Sequence, residues 1–341
     1  MIFDRAGSTP CGGSLKAATR RFPAAPDDVL DLSTAINPRP WPDPALPPPL
    51  PPEMLVRLPE PEAIRKLEAV AAACYEAPSP EHVLAAPGTQ LLLPMVAGLV
   101  PAGTAHILGP TYGEHCHAAA LAGHAAREVT EAVDLLGASL AMVVNPNNPD
   151  GRILRRDALM SLASTVQLLV VDEAYMEAGT GLGSMAPMAH LPGLVVLRSF
   201  GTFHGLAGLR LGFAIAAPEV LAPLRAMLGR WSISGPALAY ASAALADMEW
   251  AEATRASLRG TAARLDAVLR RHRLKVLGGT PLFRLARCPE GTLEGLCQHG
   301  ILVHSFPDRP GLLRFGLPPD DISLARLDRA LEGVLPPLRP H

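Results

Sequence analysis

The chain predicts an α/β protein: a parallel-rich sheet covered on both faces by helices, followed by a smaller α+β domain. Between His82 and Ala216, short apolar runs alternate with stretches of helical spacing, the pattern of strands buried on both faces. After a helical stretch from about Pro236 to Arg273 the pattern changes to closely spaced short strands, which marks a second domain. The length of 341 residues fits this, being too long for one small core and right for domains of roughly 100–200 residues each.

The proline-dense stretch from Pro38 to Pro61, PRPWPDPALPPPLPPEMLVRLPEP, excludes a helix or a central strand, because proline lacks the amide hydrogen that both need. It reads as an extended arm rather than as a polyproline ligand for another domain. EAIRKLEAVAAACYEA then has helical spacing. HVLAAPG reads as a strand, TQLLLPMVAGLV as a helix, AHILGP as a strand and YGEHCHAAALAG as a helix. ASLAMVVNPNNP is a strand ending in a loop, RDALMSLAST a helix and VQLLVVDEAY a strand, with two more strands in GLVVLRSFG and LRLGFAIA. In the second domain RLKVLGG, PLFRLA, GILVHSF and GLLRFGLP are strands with one helix among them, and SLARLDRALEGVL is a closing helix. The expected organisation is an N-terminal segment and arm over residues 1–62, a large domain over 63–235 and a small domain over 236–341.

Composition narrows the function. With 49% hydrophobic and 18% charged residues the chain can bury a large core, and a net charge of -2 provides no basic field for nucleic acid or an anionic membrane. The opening MIFDRAGSTP has no signal-peptide pattern and there is no run of about 18 apolar residues, so a cytoplasmic protein is expected. The 5 cysteines are scattered without a C-x-x-C pair, as in a reducing compartment. The lysines are Lys16, Lys66 and Lys275, and none lies near a glycine-rich loop.

In open α/β sheets ligands sit beyond the carboxyl ends of the strands, and the residues just past each strand here form a coherent set. Pro87-Gly88-Thr89-Gln90 opens a helix, either as a phosphate cradle with free amide hydrogens or as a plain cap. Tyr112, after the next strand, suits stacking on a flat ring or burial in the core. His115, Cys116 and His117 are adjacent on a helix, do not converge on one point, and read as solvent-facing rather than metal-binding. NPNNPDG forces a tight loop that exposes amides, and Asp172 ends a wholly apolar strand, a costly place for a carboxylate unless a cation or several donors meet it. A helix cap is the other reading of Asp172. Ser199 and Arg210 flank the glycine-rich turn SFGTFHGLAGLRLGF, a hydroxyl and a guanidinium suited to phosphate.

Together with GGSLKAATRRFP, LDLSTAINPRPWP, ILGPTYGEH, GGTPLFRL and GILVHSFPDRPGLLRFGLP, this set resembles fold-type I pyridoxal-phosphate enzymes over nearly the whole chain. The branch is that of histidinol-phosphate aminotransferases and L-threonine-O-3-phosphate decarboxylases, with the decarboxylase subgroup of cobalamin biosynthesis the closer match. The resemblance implies a large domain with a mostly parallel seven-stranded sheet, a homodimer, and pyridoxal 5'-phosphate as cofactor. It implies that Gly88, Thr89, Ser199 and Arg210 hold the cofactor phosphate, that Gln90 also belongs to the cofactor site, and that Tyr112 stacks on the cofactor ring. Asp172 would pair with the ring nitrogen, Asn148 and Tyr175 with the ring oxygen, and Asn37 and Arg314 with the substrate carboxylate. The implied reaction is decarboxylation of L-threonine phosphate to (R)-1-amino-2-propanol phosphate. An aminotransferase of the histidinol-phosphate type, or a non-catalytic binding protein, are the other readings.

The resemblance breaks at one position. The family carries its Schiff-base lysine where this chain has Thr202, and threonine neither forms an imine nor has useful basicity near neutral pH. The loss removes covalent attachment and the main acid–base group together. His204, two residues on, has an ordinary pKa of about 6.5 suited to proton transfer, and is read either as a replacement base or as a filler of aromatic size. Cys11, Leu58 and His304 also stand where the subgroup has histidine, tyrosine and arginine respectively.

Overall fold

The computed structural model describes residues 29–42, 50–179 and 183–335; Cys11, Lys16 and the GGSLKAATRRFP segment lie outside them. The first half runs β1 (Leu30–Leu32), α1 (Glu53–Val56), α2 (Pro61–Cys74), β2 (Val83–Ala86), α3 (Thr89–Ala97), β3 (Thr104–Leu108), α4 (Glu114–Leu121), β4 (Ala125–Val129) and β5 (Leu140–Val144). Then come α5 (Arg156–Ala163), β6 (Leu168–Asp172), β7 (Leu194–Ser199), α6 (Phe200–Phe203), β8 (Gly212–Ala216), α7 (Pro218–Leu228), α8 (Gly235–Ala246) and α9 (Met248–Arg271). The chain closes with β9 (Lys275–Thr280), β10 (Phe283–Arg287), α10 (Thr292–Gln298), β11 (Ile301–Ser305), β12 (Leu312–Gly316) and α11 (Asp321–Val334).

Contacts divide the chain into two units, residues 39–253 and residues 1–38 with 254–341. The larger unit holds a 7-stranded sheet in the order β2-β8-β7-β6-β5-β3-β4. The ladder from β4 through β3, β5 and β6 to β7 is parallel, and β8 runs antiparallel to both its neighbours, β7 and β2. Successive side chains of a strand point to opposite faces. Leu84, Met142, Val170, Leu197 and Ala214 pack under Leu92 of α3, Ala119 of α4 and Leu224 of α7. On the other face Ala85, Val143, Val171, Val196 and Phe213 meet Leu67 of α2, Leu162 of α5 and Ala241 of α8. Each fully buried Val, Leu or Phe contributes about 1.5–3 kcal/mol, so the two-sided burial accounts for the strands' continuous apolar runs.

At the open edge of β2, side chains replace a neighbouring strand. The Ala85 amide donates to Glu68 Oε1 at 3.1 Å, while Arg225 donates to Glu68 at 2.9 Å and to the Val83 carbonyl at 3.0 Å. Burial pushes the Glu68 carboxyl pKa up, against the opposing charge of Arg225.

The smaller unit has a 5-stranded sheet in the order β1-β11-β12-β10-β9. Helix α11 starts on Asp320, whose carboxylate accepts from the Ser323 amide at 2.7 Å.

Four local features differ from the sequence reading. Strand β4, AAREV, has only Val129 buried, so its polar edge character hid it from a search for apolar runs. Strand β1 is 3 residues long and exists through parallel pairing with β11, a long-range contact. Within the proline-dense stretch, the proline-free EMLV makes the single turn α1. The stretch read as one helical region is two helices, α8 and α9, parted at Asp247, which receives the indole N–H of Trp41 at 2.9 Å.

Candidate active site

Beyond the ends of β2 and β7, backbone geometry and side chains form a cradle. Gly88, the residue before α3, has φ of +89, a conformation glycine adopts without strain. A Cβ there would lie 2.8 Å from Nη2 of Arg210. Arg210 itself sits at φ +52, which costs a non-glycine residue roughly 1–2 kcal/mol and aims its guanidinium at Gly88. Gly212 pairs in register with Ser199, and a Cβ on Gly212 would stand 2.7 Å from the Thr89 amide nitrogen. The Thr202 hydroxyl donates to Ser199 Oγ at 2.9 Å. The structure thus gathers Gly88, Thr89, Ser199, Thr202 and Arg210 around the amino end of α3, where helix amide hydrogens and the helix dipole favour an anion.

Next to the cradle is a wall of aromatic and acidic groups. Tyr112 is half exposed, and its hydroxyl donates to Gln90 Oε1 at 3.3 Å; Gln90 in turn donates to Glu114 at 2.6 Å. His115 is buried: Nδ1 lies 3.0 Å from the Tyr112 carbonyl and Nε2 lies 3.1 Å from Asp172 Oδ2. This corrects the solvent-facing reading of His115; His117 is exposed and Cys116 half-buried. Its spacing from Ala118 and Ala119, both buried, was the available signal, since positions i, i+3 and i+4 share a helix face. Burial pushes the imidazole pKa down, but hydrogen bonding to Asp172 and the charge of that carboxylate outweigh it and leave the pKa raised. Asp172 also accepts from the Ala174 amide at 3.0 Å, so donors meet this buried carboxylate from two sides.

The loop after β5 uses more of its own amides than its composition suggests. Asn145 exchanges hydrogen bonds with Leu154, and Asn147 donates to the Pro110 carbonyl at 2.9 Å and accepts from Thr111 at 2.7 Å. Both are buried and fix the loop rather than face a ligand; Asn148 beyond them is half-buried, as is Tyr175. The Asn145 amide donates to the Asp172 carbonyl at 2.8 Å, tying the loop to the end of β6.

His204 is buried between the rings of Phe200, 4.4 Å away and stacked, and Trp250, 5.6 Å away and stacked. Asn37 and Arg314 belong to the smaller unit. Arg314 is buried there, donates to the Ser33 carbonyl at 2.8 Å and lies over the Phe283 ring. His304 faces Arg314 across the β11–β12 pair; burial, with the Arg314 charge, lowers its pKa to about 4.

The sequence profile of aminotransferase class I and II matches residues 66–332. The chain belongs to that family. It is 40% identical over 337 residues to a threonine-phosphate decarboxylase of Pseudomonas aeruginosa, covering 96% of this chain and 98% of the relative. A threonine-phosphate decarboxylase of a Sinorhizobium species is also 40% identical, over 94% of this chain and 96% of its own length. Among solved structures, histidinol-phosphate aminotransferase from Sinorhizobium meliloti in complex with pyridoxal-5'-phosphate superposes with a TM-score of 0.78 at 21% identity, covering 97% and 98% of the two chains. L-threonine-O-3-phosphate decarboxylase from Porphyromonas gingivalis gives 0.74 at 19% identity, over 89% and 99%. These likenesses establish the fold-type I architecture, with its mostly parallel seven-stranded sheet.

Proposed function

We propose that the chain binds pyridoxal 5'-phosphate and acts on L-threonine O-3-phosphate, releasing CO₂ and (R)-1-amino-2-propanol phosphate for cobalamin synthesis. The observation that carries this reading is the 40% identity to threonine-phosphate decarboxylases over 96% of the chain. The cradle fits a phosphoryl group: Gly88 and Gly212 leave room where a Cβ would collide, and the Thr89 amide and Arg210 lie at those same points. In this reading Gly88, Thr89, Ser199 and Arg210 hold the phosphate, Tyr112, braced by Gln90, faces the ring, and Asp172 holds a proton on the ring nitrogen. Asn148 and Tyr175 meet the ring oxygen, and Asn37 and Arg314 bind the substrate carboxylate. When bound, the cofactor supplies an electron sink for the bond that breaks as CO₂ leaves.

The chain's own residues set the limits. Thr202 Oγ donates to Ser199 and supplies a third hydroxyl to the cradle, but no base. The stacking of His204 between Phe200 and Trp250 supports a space-filling role for its ring over that of a replacement base. Turnover is therefore expected to be slow, and Thr202 favours a second reading, a binding protein that keeps the pocket without efficient catalysis. The chain works as a cytoplasmic homodimer; the exposure of Leu55, Val56 and Leu58, large apolar side chains close together at the surface, supports a second copy there.

The test is an absorbance titration of the purified chain with pyridoxal phosphate, then with L-threonine phosphate, with released CO₂ measured in parallel. Saturable binding followed by CO₂ release supports the decarboxylase, and saturable binding alone supports the second reading. No spectral change with cofactor up to about 1 mM, the weak end of specific affinity, refutes both.

A further inference from the structure

The reverse face of the strand ends carries a second polar cluster that none of the roles above uses. Glu173 follows Asp172, Glu177 follows Tyr175 by two residues, and Arg198 precedes Ser199. All three are buried, as is Tyr75, the residue that ends α2. Arg198 Nε lies 3.1 Å from Glu173 Oε2, and the Arg198 guanidinium sits 4.8 Å above the centre of the Tyr75 ring. Glu173 also accepts from the Met185 amide at 2.7 Å and from the Ser184 hydroxyl. Burial, followed by the charge of Glu177, pushes the Tyr75 phenol far above its ordinary value. The Tyr75 ring packs edge-on against Phe213 of β8 at 5.5 Å.

Alternation along a strand sends Asp172 and Ser199 to the face of α3 and α4, and Glu173 and Arg198 to the opposite one. Arg198 shares its face with Val196, and Glu173 with Val171, both in the core that contains Tyr75. The backbone closes the link: the Glu173 amide donates to the Leu197 carbonyl at 2.9 Å, and the Met176 amide to the Glu173 carbonyl at 3.0 Å. A rotation or slip of either strand end therefore has to break a buried ion pair on one face before it can move a side chain on the other. Breaking such a pair is far costlier than moving a solvated one.

We propose that Tyr75, Glu173 and Arg198 form a positioning cluster that sets Asp172, Tyr175 and Ser199 from behind. No role assigned above gives any of the three a contact with cofactor or substrate. The proposal rests on the reading of those three residues as cofactor ligands. A purely structural ion pair affects the fold alone; a positioning cluster sets ligand geometry, and groups behind a ligand shell commonly alter affinity by about 10- to 100-fold.

The experiment uses the full chain with Glu173→Gln and Arg198→Met, and Glu68→Gln at the β2 edge as the comparison. The readouts are the dissociation constant for pyridoxal phosphate by absorbance titration, the near-UV circular dichroism of the bound cofactor, and the Tm of the ligand-free chain. Glu173→Gln keeps the shape of the side chain and one acceptor oxygen while removing the charge, so it carries the test where Arg198→Met leaves carboxylates unpaired and does not fold. The expected result is at least about tenfold weaker cofactor binding and an altered dichroism band in Glu173→Gln, with Glu68→Gln lowering Tm and leaving binding unchanged. Arg198→Lys, which restores a cation, should recover part of the affinity. Binding within about twofold of the unaltered chain, or failure of Glu173→Gln to fold, overturns the proposal. Failure of the unaltered chain to bind is a separate result: it refutes the cofactor reading and the proposal with it.

Discussion

Asp172 and Glu173 are consecutive buried carboxylates at the end of one strand, yet they meet opposite surroundings. Asp172 faces His115 and a half-exposed tyrosine at the mouth of a glycine-lined cradle, where its partner can gain or lose a proton. Glu173 faces Arg198, a permanent cation, in a core closed by Tyr75 and Phe213. The α3 side of β6 and β7 is thus equipped to receive a ligand, and the α2 side is equipped to hold shape. Changes on the two sides should separate into effects on chemistry and effects on geometry.

The largest expected effect is a gain on the cradle side. Thr202→Lys places an amine where the family carries its lysine, and general acid–base catalysis by a positioned group is worth roughly 10²–10⁴ in rate. CO₂ release from L-threonine phosphate should rise by about that factor. A rise without any change in cofactor affinity would argue that the new side chain does not reach the cofactor. No rise at all would place the missing catalytic group elsewhere in the chain.

Arg210→Met comes next. Charge-assisted hydrogen bonds are worth about 1.5–3 kcal/mol, so cofactor binding should weaken by roughly 10- to 150-fold, read in the same titration. Arg210 is exposed and its left-handed backbone stays unchanged in kind, so stability should move by less than about 0.5 kcal/mol in urea unfolding. A large loss of stability would make Arg210 a structural brace for Gly88 instead of an anion ligand.

This contrast between the sides also explains what could be read from the sequence. The cradle side was legible because its chemistry is local: a glycine at a helix entrance, a hydroxyl after a strand and an arginine in a glycine-rich turn announce themselves in a few residues. The cluster behind it was not, because Tyr75, Glu173 and Arg198 lie far apart in sequence and only the sheet brings them together. His115 fell between the two, with a helical spacing that pointed inward and neighbours that looked polar. The buried strands β2, β3, β5, β6, β7 and β8 were legible from their apolar runs, whereas β1 and the edge strand β4 depend on partners for their existence.

The smallest effect separates the sides by pH. The folded protein raises the pKa of His115, through Asp172 against the opposing effect of burial, so the fold binds that proton more tightly than the unfolded chain does. Its contribution to stability is therefore complete below the ordinary imidazole value of 6.5 and is lost as pH rises through the folded value. Glu173 is also raised, chiefly by burial and against the charge of Arg198. By the same sign its contribution is complete below the ordinary value of 4.5 and is lost as pH rises through the folded value. The difference in urea midpoint between a variant and the unaltered chain, followed across the acidic and neutral range, isolates each contribution from those of Glu68, which has the same sign as Glu173, and His304, which has the opposite sign. His115→Gln should remove the part of the decline that begins near 6.5, and Glu173→Gln part of the decline that begins near 4.5, where Glu68 continues to contribute. If either substitution flattens both windows, the two faces titrate as one coupled system, and Asp172, which lies between them in the chain, is the group through which they communicate.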